Sequence, residues 1–149
     1  MNKRAVTILC ALLLLPSLAF AAPVKRIKMK GTAKETAISL KGVQSNDAWT
    51  TPVSITQSGS SVTINFRLID GKSATSILKK AKGGWMSTIT PFEIPPPSNS
   101  NFYYCEMSGY VILKLSGKTG SFARYVQLAC DDDVGTVKAY DILTIKLKK

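Results

Sequence analysis

The chain reads as a mainly β protein: a small antiparallel β-sandwich or partly open barrel with one short inserted helix. Three features predict this. Alternation with a period of two recurs from Val24 to Leu147. Short breaks rich in glycine, serine and asparagine separate the alternating runs. Helical spacing of apolar residues is convincing only in Ser73 to Lys82.

Val24 to Lys30 puts Ile27 and Met29 on one face and Arg26, Lys28 and Lys30 on the other, a strand with a basic side. Thr36 to Val43 is a weaker strand. Gln44 to Thr51 is polar, ends at Pro52 and reads as a loop, with Trp49 as a contact residue within it. Val53 to Thr56 and Val62 to Ile69 flank Gln57-Ser58-Gly59-Ser60, a hairpin signal. In Ser73 to Lys82, Ser73 can cap the first amides and Ile77, Leu78 and Ala81 form an apolar stripe. Lys79, Lys80 and Lys82 lie near the negative end of the dipole, and Gly83-Gly84 stops the helix. Trp85 anchors the helix end and opens an extended run to Ile94, which Pro91 restricts to an edge. Pro95 to Asn101 is a connector.

Phe102 to Leu115 and Ser121 to Cys130 are strand-like, joined by Ser116-Gly117-Lys118-Thr119-Gly120. A two-residue turn at Gly117-Lys118 suits glycine at the first central position. That register sets Cys105 opposite Cys130 in a non-hydrogen-bonded pair, where side chains approach most closely, and Tyr110 opposite Tyr125. A Cys105–Cys130 disulfide follows. Asp131 to Gly135 then turns into a final strand, Thr136 to Leu147.

Residues 1–21 read as an export signal: Lys3-Arg4, an apolar run from Ala5 to Phe20, and small residues at Ala19 and Ala21. The expected product is one exported domain, residues 22–149, in the periplasm or outside the cell. An even pair of cysteines suits that oxidising space. The full chain of 149 residues has net charge +11. Without the signal the charge is about +9, a field that attracts acidic partners.

The sequence holds no histidine, which removes Ser-His-Asp, Cys-His and imidazole-zinc chemistry. Ser76-Ile77-Leu78-Lys79 and Lys118-Thr119-Gly120 resemble the S-x-x-K and K-T-G motifs of penicillin-binding proteins and class A β-lactamases. No Ser-Asp-Asn triplet lies between them and the domain is small for that fold, so a capped surface helix and a turn account for the residues better. Asp131-Asp132-Asp133 lacks the calcium-loop spacing. No catalytic set, metal-ligand set or cofactor motif is identified.

The basic groups remain. Lys25, Arg26, Lys28, Lys30 and Lys34 form the candidate surface for an anionic partner; Lys79, Lys80 and Lys82, and Lys146, Lys148 and Lys149, form two further clusters. The leading expectation is an exported, non-enzymatic binding or structural protein for an acidic protein or an anionic envelope or host surface. Envelope assembly, secretion, and immunity or inhibitor roles are included. One alternative is a hydrolase using carboxylates among Glu93, Glu106, Asp70 and Asp141. Another is direct binding to anionic membrane or, less favoured, nucleic acid through Lys25 to Lys34.

Overall fold

Eight antiparallel strands, each hydrogen-bonded to the next in sequence, close into a barrel in the computed structural model, which describes residues 23–149. They are β1 (Lys25–Ile38), β2 (Gln44–Ser58), β3 (Ser61–Arg67), β4 (Ser73–Ala81), β5 (Gly84–Ile94), β6 (Tyr104–Ser116), β7 (Thr119–Asp131) and β8 (Thr136–Lys148). Closure comes from β1 against β8, with Lys30 opposite Lys148 and Ile38 opposite Tyr140. The expected export signal lies outside the described residues.

Two expectations are corrected. The architecture is a closed barrel and not a sandwich, because pairing β1 with β8 satisfies two backbone edges that a sandwich leaves free. Nor is there a helix among the described residues: Ser73 to Ala81 is β4, paired with β3 from Ser73–Arg67 to Lys79–Ser61. A helix this short is marginal by itself, whereas the exposed edge of β3 offers a ladder of backbone hydrogen bonds. In the strand, Leu78 is fully buried and Ile77 points outward, 65% exposed, so the apparent stripe is divided between two faces.

Gln44 to Thr51 is also strand, paired along its length with β1. Its alternation is weak because most of its side chains remain exposed; backbone pairing with β1, more than burial, sets its conformation. Likewise β1 runs unbroken to Ile38, with a turn at residues 39–43.

The register of β6 with β7 matches the sequence expectation, including Cys105–Cys130, Tyr110–Tyr125 and Ser116–Thr119. Gly117 has φ 57° at the first central position of the turn, a conformation that favours glycine. Cys105 and Cys130 are disulfide-bonded with Cα atoms 4.1 Å apart, as in a non-hydrogen-bonded pair. The bond is compatible with an oxidising compartment.

The core fills the barrel. Met29 and Ala33 of β1, Ile55 of β2, Ile64 and Phe66 of β3, Leu78 of β4, Leu113 of β6, Phe122 of β7, and Leu143 and Ile145 of β8 are all buried. An eight-stranded barrel is just wide enough for such side chains. Space beside the core is tight at Gly31, where a Cβ would collide with Ile145.

The antiparallel meander gives the barrel two distinct ends. The lower end holds the turns β2–β3, β4–β5 and β6–β7, the start of β1 and the end of β8; the upper end holds the other four turns. β3 meets β2 only between Ser54 and Ser58, and β4 meets β5 only between Lys79 and Ala81. The lower half is therefore closed, and the upper half is a sheet in the order β2-β1-β8-β7-β6-β5. Its β5 edge carries a register shift between Ile89 and Phe92, beside Gly109, where a Cβ would collide with the carbonyl of Tyr125. Pro91 lies within that shift and removes a donor from the free edge.

Candidate functional site

Strand direction gathers the three basic clusters of the sequence at the lower end. Lys25, Arg26, Lys28 and Lys30 lie on the first half of β1, Lys79 and Lys80 at the end of β4, Lys82 in the following turn, and Lys146 and Lys148 at the end of β8. Lys114, Lys118 and Lys149 join them, with the Lys149 amide donating to the Lys118 carbonyl at 2.8 Å.

All nine Asp and Glu residues lie in the upper half. Glu35, Asp47 and Asp141 are on the upper parts of β1, β2 and β8; Glu93, Glu106 and Asp131 are on the upper ends of β5, β6 and β7; Asp70, Asp132 and Asp133 are in or beside upper turns. No ion pair among the described residues involves a lysine of the lower end.

The outer surface of β1 and β8 concentrates this charge. Met29 and Leu147 point inward, so Lys28, Lys30, Lys146 and Lys148 point outward and are exposed. Lys30 stands directly opposite Lys148, and Lys146 is opposite Thr32. Spacing is about 7 Å along a strand and about 5 Å between strands. Like charges directly opposite each other destabilise a sheet by a few tenths of a kcal/mol. Lys28, Met29, Lys30, Lys148 and Lys149 border a surface hollow of about 440 Å³. Of the other candidate residues, Arg26 shares this outward face and Lys25 lies at the exposed lower rim. Lys34 is farther up β1, opposite Thr144 in the half that holds the carboxylates.

A second charged cluster lies above the core. Arg124 Nη2 donates to Glu35 Oε1 at 3.2 Å and Asp141 Oδ2 at 2.8 Å, linking β7, β1 and β8. Side-chain exposures are 23% for Arg124, 21% for Glu35 and 37% for Asp141. Burial, followed by the charge and hydrogen bonding of Asp141, holds the Glu35 carboxyl above its ordinary value of 4.5 against the opposing pull of Arg124. Sequence reasoning misses this trio because Glu35 and Arg124 are 89 residues apart, and only barrel closure brings them together.

Glu35 in this trio contributes to the pH dependence of stability. Folding favours protonated Glu35, so its contribution is fully present below the ordinary value and is lost as pH rises through the raised one. Glu35→Gln is expected to flatten the stability profile on that alkaline side while leaving Asp141 paired with Arg124. Arg124→Met leaves adjacent carboxylates without a counter-charge and is expected to lower stability by about 2 kcal/mol near neutrality, a magnitude reduced for partial exposure. Acidification should recover most of that loss. Urea unfolding across a pH series checks both outcomes.

The remaining candidates separate. Ser76 and Lys79 stand on opposite faces of β4, and Lys118 is in a turn, so the S-x-x-K and K-T-G residues form no acylation centre. Asp70 pairs with Lys72 at 2.9 Å in an exposed turn, and Asp141 is held by Arg124. Glu93 is opposite Glu106 on the outer face of β5 and β6. Asp132 Oδ1 accepts from the amides of Val134 and Gly135, an ordinary turn arrangement.

Trp49 lies on β2, not in a loop; it packs against the core and its Nε1 donates to the Arg67 carbonyl at 2.9 Å. That bond spans the gap where β2 leaves β3, so its role is structural. Trp85, with no helix end to anchor, belongs to β5 and packs against the core. Tyr110 and Tyr125 stack with ring centroids 5.3 Å apart, and Tyr140 lies 5.8 Å from Tyr125. The chain matches no known family model, and no curated protein is similar to it in sequence.

Proposed function

We propose that this is an exported, non-enzymatic binding protein that docks an acidic partner on the lysine face of β1 and β8. The observation that carries the reading is the segregation of charge: the lysine clusters meet at the end that holds no Asp or Glu side chain. The opposed Lys30 and Lys148 are unfavourable in the free protein and favourable against an anion. The sheet fixes the spacing of their backbone positions, so the ordering cost of binding at this face is confined to side chains. Asp70 and Asp141 are held in ion pairs, and Glu93 and Glu106 stand on the outer face of the sheet instead of in a cleft, which supports binding over hydrolysis.

Heparin serves as a generic polyanion for the test. The variant Lys28→Gln/Lys30→Gln/Lys146→Gln/Lys148→Gln is expected to bind at least tenfold more weakly at low salt. Its log K against log salt slope should shrink by roughly 0.7–0.9 per lysine removed. The control Lys41→Gln/Lys72→Gln/Lys138→Gln, at the upper end, should retain most of the affinity. Equal losses in the two variants, or wild-type binding by the first, would overturn the reading.

A further inference from the structure

We propose that the acidic partner is a second copy of this chain, with the lysine face of one molecule docked on the upper carboxylate face of the next. This rests on the reading above, since it names the partner of the same surface. The complementary face is on the outer side of β5, β6 and β7. Glu93 is directly opposite Glu106, and Asp131 is on the neighbouring strand opposite Tyr104. Asp132 and Asp133 continue it in the turn. Tyr104 lies among these carboxylates; partial burial first, then the charges of Glu106, Glu93 and Asp131, holds its phenol above the ordinary value.

Each face therefore contains a pair of like charges set directly opposite each other, Lys30–Lys148 on one and Glu93–Glu106 on the other. Each pair is unfavourable in the isolated barrel, and contact between the faces reverses both penalties. The faces occupy opposite ends and different strands, so a molecule engaged through one keeps the other free. Such a heterologous contact builds open chains instead of a closed dimer. The excess positive charge of the whole molecule opposes association at very low salt. Near physiological salt the Debye length is about 8 Å, so the facing patches dominate. Association should peak at intermediate ionic strength and vanish at about 1 M salt, where that length is about 3 Å.

The test uses sedimentation velocity on the purified processed protein, residues 22–149, and two variants of it. One is the four-lysine variant above; the other is Glu93→Gln/Glu106→Gln/Asp131→Asn. Wild type should grow in mass with concentration, forming a series of oligomers, while each variant alone stays monomeric. Each variant retains the face that the other lacks, so an equimolar mixture should form a one-to-one heterodimer and stop there. Circular dichroism checks that both variants remain folded.

A wild type that stays monomeric at all salt concentrations, or oligomers that persist in either variant, would overturn self-docking. Heparin binding separates the two claims. If the lysine face binds heparin but wild type stays monomeric, only self-docking falls. If the four-lysine variant binds heparin like wild type, the underlying reading falls as well.

Discussion

Replacing Phe122 with alanine is expected to lower the unfolding free energy by about 3–5 kcal/mol, the range for truncating a buried phenylalanine. Phe122 is among the largest fully buried side chains, with 1% exposure. From β7 it reaches across the interior to Phe66 of β3, with ring centroids 5.1 Å apart and planes tilted by 56°. These strands are not neighbours in the sheet, so the contact joins opposite walls. Truncation forfeits the hydrophobic transfer energy of the ring and leaves a cavity. The hydrogen-bonded walls restrict collapse into that space, which places the variant toward the upper part of the range. Phe122→Leu retains most of the volume and should cost less than half as much. Urea unfolding should show a lower midpoint with an unchanged slope; a loss below about 1 kcal/mol for the alanine variant would contradict this account of the core.

The double variant Cys105→Ala/Cys130→Ala is expected to lose about 3.5 kcal/mol in the chain-entropy treatment of the loop the disulfide closes. The two cysteines are 25 positions apart. In the folded protein the bond repeats information already present: β6 and β7 pair from Tyr104–Asp131 to Ser116–Thr119, and the turn fixes the same register. Its main effect is to restrict the unfolded chain. The variant should therefore keep the wild-type circular dichroism spectrum and heparin affinity while its denaturation midpoint falls. Loss of heparin binding at full native signal would show that the bond shapes the lysine face, contrary to this account.

The sequence makes the fold legible where turn chemistry and strand alternation specify the same register. The β6–β7 hairpin is the clearest case, since turn glycine, alternation and cysteine spacing all specify one register. The β2–β3 hairpin was legible for a similar reason: Gly59 lies between two alternating arms. The helical reading of Ser73 to Lys82 failed because a nonlocal partner, the edge of β3, outweighed a weak local stripe. Gln44 to Thr51 reads as a loop in the sequence because its backbone pairs with β1 while most of its side chains stay in solvent.

Barrel closure was not legible, since contact between the first and last strands leaves no local pattern. The charged site was half visible for the same reason. The sequence shows three lysine clusters, but only closure sets Lys30 beside Lys148, and the up-and-down strand order carries all the carboxylates to the other half. The Arg124 trio depends on the same closure and on no motif.

The most direct measurement of the central claim is the salt dependence of heparin affinity for wild type and the four-lysine variant side by side. If the lower face of β1 and β8 is the docking surface, the variant's log–log line is flatter by about 3, with the affinity gap widest at low salt. Parallel lines of equal affinity would show that the converging lysines do not form the docking surface.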